Sequence, residues 1–195
     1  MFRYLFIAAA LIVLAGCASV QPPKAQVPWQ TQQAQLAKIK SWQINGQIAL
    51  ITPKERHSAS LYWQHQRSSD NLLLNGPFGK QLLSATITPQ RTVVVVNDKT
   101  YQGPDSNQLI SQLTGWHLPL NRLPFWLVGL ADGAPYQLNT HQRIGSIKSL
   151  DGWQITYKNY QQVGQYVLPQ QLEAKHGTAR IKIIIDQWHV DPPHE

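Results

Sequence analysis

The chain has 195 residues, a formal net charge of +7 and a single cysteine. That length suits one globular domain, and one cysteine excludes a disulfide framework, so packing alone must hold the domain together. The Lys and Arg residues are scattered without a run, which argues against a nucleic-acid surface and for an anionic lipid surface or an acidic partner protein.

The N-terminus reads Met1-Phe2-Arg3-Tyr4, runs apolar from Leu5 to Ala15, and reaches Leu14-Ala15-Gly16-Cys17. A basic start, a short apolar core and a small-residue site describe an export signal, too short to span a bilayer as a helix. The cysteine directly after Leu-Ala-Gly makes residues 1–16 a lipoprotein signal peptide, with Cys17 acylated as the mature N-terminus. Residues 17–28 then form a tether with three prolines and no periodicity, reaching at most about 35 Å. The folded domain is expected over residues 29–190, with residues 191–195 as a tail.

Trp29 to Lys40 suits a helix, with Leu36 and Ile39 as its apolar stripe. Period-two patterns follow. Ile44, Gly46, Ile48 and Leu50 share one face, as do Ala59, Leu61 and Trp63; later Trp153, Ile155 and Tyr157, and then Ile181, Ile183 and Ile185, alternate with polar neighbours. These are strands with one dry and one wet face, as antiparallel sheets have. The run Arg91 to Asp98 is β-branched, and His176-Gly177-Thr178 is a hairpin turn.

Between Leu72-Leu73-Leu74 and Leu82-Leu83 lies Asn75-Gly76-Pro77-Phe78-Gly79-Lys80, a hairpin reversal by its Asn, Gly and Pro. A phenylalanine at such a tip admits two readings. Either the loop folds back and Phe78 packs on the body, or the loop points at something apolar outside the protein.

Two helices interrupt the strands. Asp105 caps the first, which carries Leu109, Ile110 and Leu113 on one face and stops at Gly115. The second is expected from Asn121, as its cap, to Leu130, with Pro124 in the first turn. Its side chains are apolar nearly all round, so it must be surrounded. The expected fold is therefore mainly β: an unclosed, curved antiparallel β-barrel with helices covering or plugging the concave side and enclosing a hydrophobic cavity. Trp63, Leu123, Trp126, Leu127 and Trp153 are expected to line that cavity, with the second helix near its mouth.

No enzyme motif is present: there is no Gly-x-Ser-x-Gly elbow, no His-Glu-x-x-His and no glycine-rich phosphate loop. His189, Asp191, His194 and Glu195 cluster in sequence, but on a Pro-Pro tail that offers no rigid second shell for a metal. Neither catalytic residues, nor a metal, nor a cofactor is expected.

The acylation site, the hairpin "NGPFGK", the segment "LTGWHLPLNRLPFWLVGL" and the terminal "RIKIIIDQWHV" together resemble the LolB family, along nearly all of the mature chain. The resemblance implies a receptor that accepts lipoproteins from the soluble periplasmic carrier LolA. It holds their acyl chains in a hydrophobic cavity and inserts them into the inner leaflet of the outer membrane. In the family an apolar residue, usually leucine, protrudes from the loop matched by Gly76, Pro77, Phe78 and Gly79; here it is Phe78. Ala18 after the acylated cysteine fits outer-membrane rather than inner-membrane sorting, on the periplasmic face. The partners implied are LolA, lipoprotein cargo and outer-membrane lipid, with the chain a monomer. The alternative is a structural outer-membrane lipoprotein that binds envelope polymer or a membrane complex; a lipid or glycan hydrolase ranks last.

Overall fold

The computed structural model describes residues 27–191. Cys17, the signal peptide, nearly all of the tether and the last residues of the tail lie outside the described residues. After helix α1 (Trp29–Leu36) come β1 (Trp42–Ile51), β2 (Arg56–Gln66), β3 (Ser69–Asn75), β4 (Gln81–Ile87), β5 (Thr92–Val96) and β6 (Lys99–Gly103). Helices α2 (Ser106–Thr114) and α3 (Leu123–Leu127) follow, then β7 (Tyr136–Leu138), β8 (Ile144–Lys148), β9 (Gln154–Val163), β10 (Tyr166–His176) and β11 (Ala179–Val190).

All strands join one 11-stranded sheet in the order β6-β5-β4-β3-β2-β1-β11-β10-β9-β8-β7. Neighbours pair antiparallel throughout. The edges β6 and β7 do not pair with each other among the described residues, so the barrel is unclosed. Two meanders meet where the first strand pairs with the last, and one connection, residues 104–135, must travel from one edge of the sheet to the other. It carries α2 and α3, which explains why the helices plug the sheet. The shortest route crosses the dry face, and their apolar side chains gain most by burying there.

The alternating faces appear as expected. Ile44, Ile48 and Leu50 of β1, Leu61 and Trp63 of β2, and Ile181, Ile183 and Ile185 of β11 are buried, and they join Ile110, Leu123, Trp126 and Leu127 in one core. Gly46 stands where the backbones of β1 and β11 approach too closely for a side chain. A Cβ there would meet the Ile184 carbonyl oxygen at 2.1 Å. The pairing jumps from Asn45↔Gln187 to Gly46↔Ile185, leaving Asp186 as the extra residue of a bulge.

The first interior helix forms as expected. The Gln108 amide donates to Asp105 Oδ1 at 2.8 Å, and Gly115 ends the helix at φ 74°. Two helical expectations need correction. Helix α1 stops at Leu36 rather than Lys40, although Leu36 is buried and Ile39 packs against the core. The expected helix from Asn121 to Leu130 shrinks to Leu123–Leu127, and Asn121 does not cap it. Its Oδ1 instead accepts from Asn107 Nδ2 at 3.0 Å. At the other end Gly129 turns left-handed at φ 85°, its N–H reaches the Trp126 carbonyl at 3.0 Å, and the Leu130 N–H reaches that of Phe125 at 2.9 Å. That is a Schellman stop, and the helix cannot pass it.

Candidate functional site

The β3–β4 hairpin fixes its tip through backbone hydrogen bonds. Gly76 N–H donates to the Lys80 carbonyl at 2.8 Å, and Gly79 N–H to the Gly76 carbonyl at 3.3 Å. Pro77 presets one turn of the reversal, and Phe78 takes the left-handed conformation at φ 60°, ψ 21°, a place that glycine or asparagine normally fills. Phe78 is fully exposed. Its ring does not pack on the body of the domain. A bulky residue held left-handed and in water is strained twice over, by its backbone and by its exposed ring.

The residues expected around a cavity are brought together, but as packed core. Trp63, Leu123, Trp126, Leu127 and Trp153 are all buried, and the rings of Trp126 and Trp153 lie 6.3 Å apart. Trp63 Nε1 donates to Asp70 Oδ1 at 2.7 Å, an acceptor it shares with His65 Nδ1 at 2.8 Å. Tyr157 Oη donates to the Trp126 carbonyl at 2.8 Å, whereas Trp126 Nε1 is buried without an acceptor among the described residues. Burial, and then the neighbouring Tyr160, push the Tyr157 hydroxyl well above its ordinary value. Burial raises Tyr160 as well, with Arg143 only partly offsetting it.

None of these five residues lines the open cleft of about 510 Å³ that the sheet and the plug leave between them. Its apolar walls include Ile39, Ile87, Leu120, Phe125, Val128 and Leu130, with Lys40, Arg67 and Asp70 among its polar residues. Phe125 is 42% exposed, so α3 is not surrounded on all sides as its composition suggests. The sequence gives no periodic signal for this, because the exposed ring belongs to a helix of little more than one turn. Cleft and tip lie at opposite ends of the sheet: Asp70 near the start of β3 lines the cleft, and Phe78 follows the end of that strand.

At the C-terminus His189 Nε2 stands 3.4 Å from Asp191 Oδ1, while His194 and Glu195 fall outside the described residues. No group of three or more His, Cys, Asp or Glu residues able to hold a metal occurs among the described residues. No helix among them is long and apolar enough to cross a membrane.

The family model described as outer membrane lipoprotein LolB matches residues 40–188. The outer-membrane lipoprotein LolB of Aeromonas hydrophila subsp. hydrophila is 35% identical over 188 residues, covering 95% of this chain and 96% of that one. That of Vibrio campbellii is 34% identical over 196 residues, covering 96% and 97%. Among solved structures, a putative outer membrane lipoprotein-sorting protein domain from Vibrio parahaemolyticus superposes with a TM-score of 0.54 at 9% identity, covering 86% of this chain and 94% of that one. A LolA superfamily protein from Nitrosomonas europaea does so with a TM-score of 0.50 at 11% identity, covering 85% and 94%. At those identities the superpositions speak to fold alone. The sequence matches carry the assignment: the chain belongs to the LolB family of outer membrane lipoproteins.

Proposed function

We propose that this chain is a non-enzymatic lipoprotein receptor, anchored through acylated Cys17 to the periplasmic face of the outer membrane. It accepts lipoproteins from LolA, shelters their acyl chains between sheet and plug, and inserts them into the inner leaflet. The observation that carries the reading is Phe78: fully exposed, left-handed, and held there by a closed turn. A ring kept in water at that cost in strain has a use outside the protein, and a bilayer is the apolar phase next to an outer-membrane lipoprotein.

The plug suits a cavity that opens on demand. Helix α3 spans only Leu123–Leu127, has no side-chain cap, and leaves the Trp126 indole Nε1–H buried without an acceptor among the described residues. Lifting it would join the cleft to the space around Trp63, Leu123, Trp126, Leu127 and Trp153. An acyl chain gains about 0.8 kcal/mol per buried CH₂, so several chains on one cargo protein cannot cross water unsheltered. Without ATP, direction has to come from rising affinity along the series carrier, receptor, bilayer.

The test incubates the full lipid-anchored chain with a LolA–lipoprotein complex and then adds liposomes. Cargo should move first to this chain and then into the liposomes. Cargo that stays on LolA would sink the receptor reading in favour of a structural envelope lipoprotein, and release of fatty acid would indicate a hydrolase.

A further inference from the structure

A second apolar side chain protrudes at the same end of the sheet as Phe78. Leu150 is 90% exposed, at the β8–β9 turn. The antiparallel order places that turn and the β3–β4 tip at one end, because both follow strands that run the same way as β1. The turn is as closed as the first. Gly152 N–H donates to the Ser149 carbonyl at 3.1 Å, and Ser149 N–H to the Trp153 carbonyl at 2.8 Å. Trp153, which closes the turn, is buried with its ring 5.2 Å from that of His176, and the His176 ring lies beside Gly152, while Leu150 stays in water.

Charge at this end points to the same occupant. Lys54, Arg56, Lys80, Lys99, Lys148 and Arg180 are exposed on its loops and strand ends, and none is in an ion pair among the described residues. Lys175 is excluded because it pairs with Glu173 at 3.2 Å. Opposing them are Asp98 and Asp151, with Glu55 engaged by His57 at 2.7 Å.

We infer that Leu150 is a second membrane contact, and that with Phe78 and the surrounding cations it seats this end of the half-barrel on an anionic leaflet. The inference rests on the reading of Phe78 as a membrane probe. One apolar tip is a pivot. A second, six strand spacings away and so about 29 Å along the sheet, removes a rotation and sets the orientation of the cavity over the bilayer. The cations add attraction that reaches about one Debye length and is screened by salt.

With Cys17 carrying the anchor, a Leu150→Cys or Phe78→Cys variant supplies one free thiol for an environment-sensitive fluorophore. The labelled full chain is reconstituted in vesicles of phosphatidylethanolamine and phosphatidylglycerol, with Gln90→Cys, exposed in the β4–β5 turn at the opposite end and outside the cleft, as control. Both tip labels should shift to the blue and be quenched by spin-labelled lipid, the control should not, and the Leu150 shift should shrink at high salt or without phosphatidylglycerol. A label at 150 that stays aqueous while that at 78 inserts overturns the inference and leaves the Phe78 reading standing. If both stay aqueous, the Phe78 reading has failed and takes this one with it. In unlabelled protein Leu150→Glu should lower delivery to liposomes about tenfold or more with unchanged melting and capture. A loss confined to capture would assign Leu150 to a protein partner and overturn the membrane contact.

Discussion

The Tyr157 hydroxyl donates to the Trp126 carbonyl at 2.8 Å, and this is the side-chain hydrogen bond that ties helix α3 to strand β9. That carbonyl also accepts from the Gly129 N–H at 3.0 Å, so removing the phenol does not orphan it. Tyr157→Phe should therefore cost about 1 kcal/mol, the net worth of one buried hydrogen bond, rather than the larger penalty of an unsatisfied group. Because the same bond holds the plug down, the variant should take up a fluorescent fatty acid faster than the parent. Unchanged uptake with a lowered melting temperature would mean that the plug does not gate the cavity.

The same hydroxyl sets an alkaline limit. Burial, with Tyr160 beside it, holds its folded-state pKa well above the ordinary value of 10.0. The unfolded chain gives up this proton near that value and the folded chain does not, so the contribution is whole below about pH 10 and is lost as pH rises above it. Thermal melts across that range should fall more steeply for the parent than for a Tyr157→Phe, Tyr160→Phe double variant. Parallel curves would place the alkaline loss elsewhere.

Phe125 and Trp126 are neighbours in α3 with opposite fates. Phe125 is 42% exposed on the cleft, whereas Trp126 is fully buried. Phe125→Ser should weaken capture of cargo with a change in stability of about 1 kcal/mol or less. Trp126→Asp should unfold the domain, since it buries a charge without a partner. Capture and folding lost together in both variants would show that the cleft has no binding role of its own.

Gly46→Ala should be among the most damaging single-methyl changes in the sheet. Its Cβ would stand 2.1 Å from the Ile184 carbonyl oxygen, so β1 and β11 must part at the seam between the two meanders. A loss of about 2–3 kcal/mol is expected, at the upper end for overpacking. Deleting Asp186 as well would remove the extra residue of the bulge, and rescue by that deletion would show that the bulge is what demands glycine.

How much of this was readable in the chain follows from what each feature depends on. The dry faces of β1, β2 and β11 are local period-two patterns, and the Asp105 and Gly115 caps are local chemistry, so both were legible. The length of α3 was not, because Asn121 was diverted to Asn107, a partner fourteen residues back. The short strands β7 and β8 carry Gln, Gly and Ser and depend on pairing, β7 with β8 and β8 with β9, which no single segment announces. Phe78 was visible because it contradicts its own turn chemistry. Leu150 sits the same way in Ser149-Leu150-Asp151-Gly152, but its significance emerges only when the strand order puts it at the end where Phe78 lies.

If Phe78 is the membrane probe proposed above, stability and delivery can be pulled in opposite directions at this one position. Its φ of 60° is one that an L side chain adopts at a cost of about 1–2 kcal/mol and that glycine adopts freely. The ring makes up none of this through packing, being fully exposed. Phe78→Gly should therefore melt at the same temperature as the parent or slightly above it, capture cargo normally, and fail to pass cargo to liposomes. Phe78→Leu keeps both the strain and the apolar tip and should deliver nearly as well as the parent. Phe78→Glu should match Gly in capture and fall furthest in delivery, since a carboxylate resists the acyl region. Equal delivery by the Gly, Leu and Glu variants would remove the tip from the mechanism, and the strain at this turn would then stand without a use.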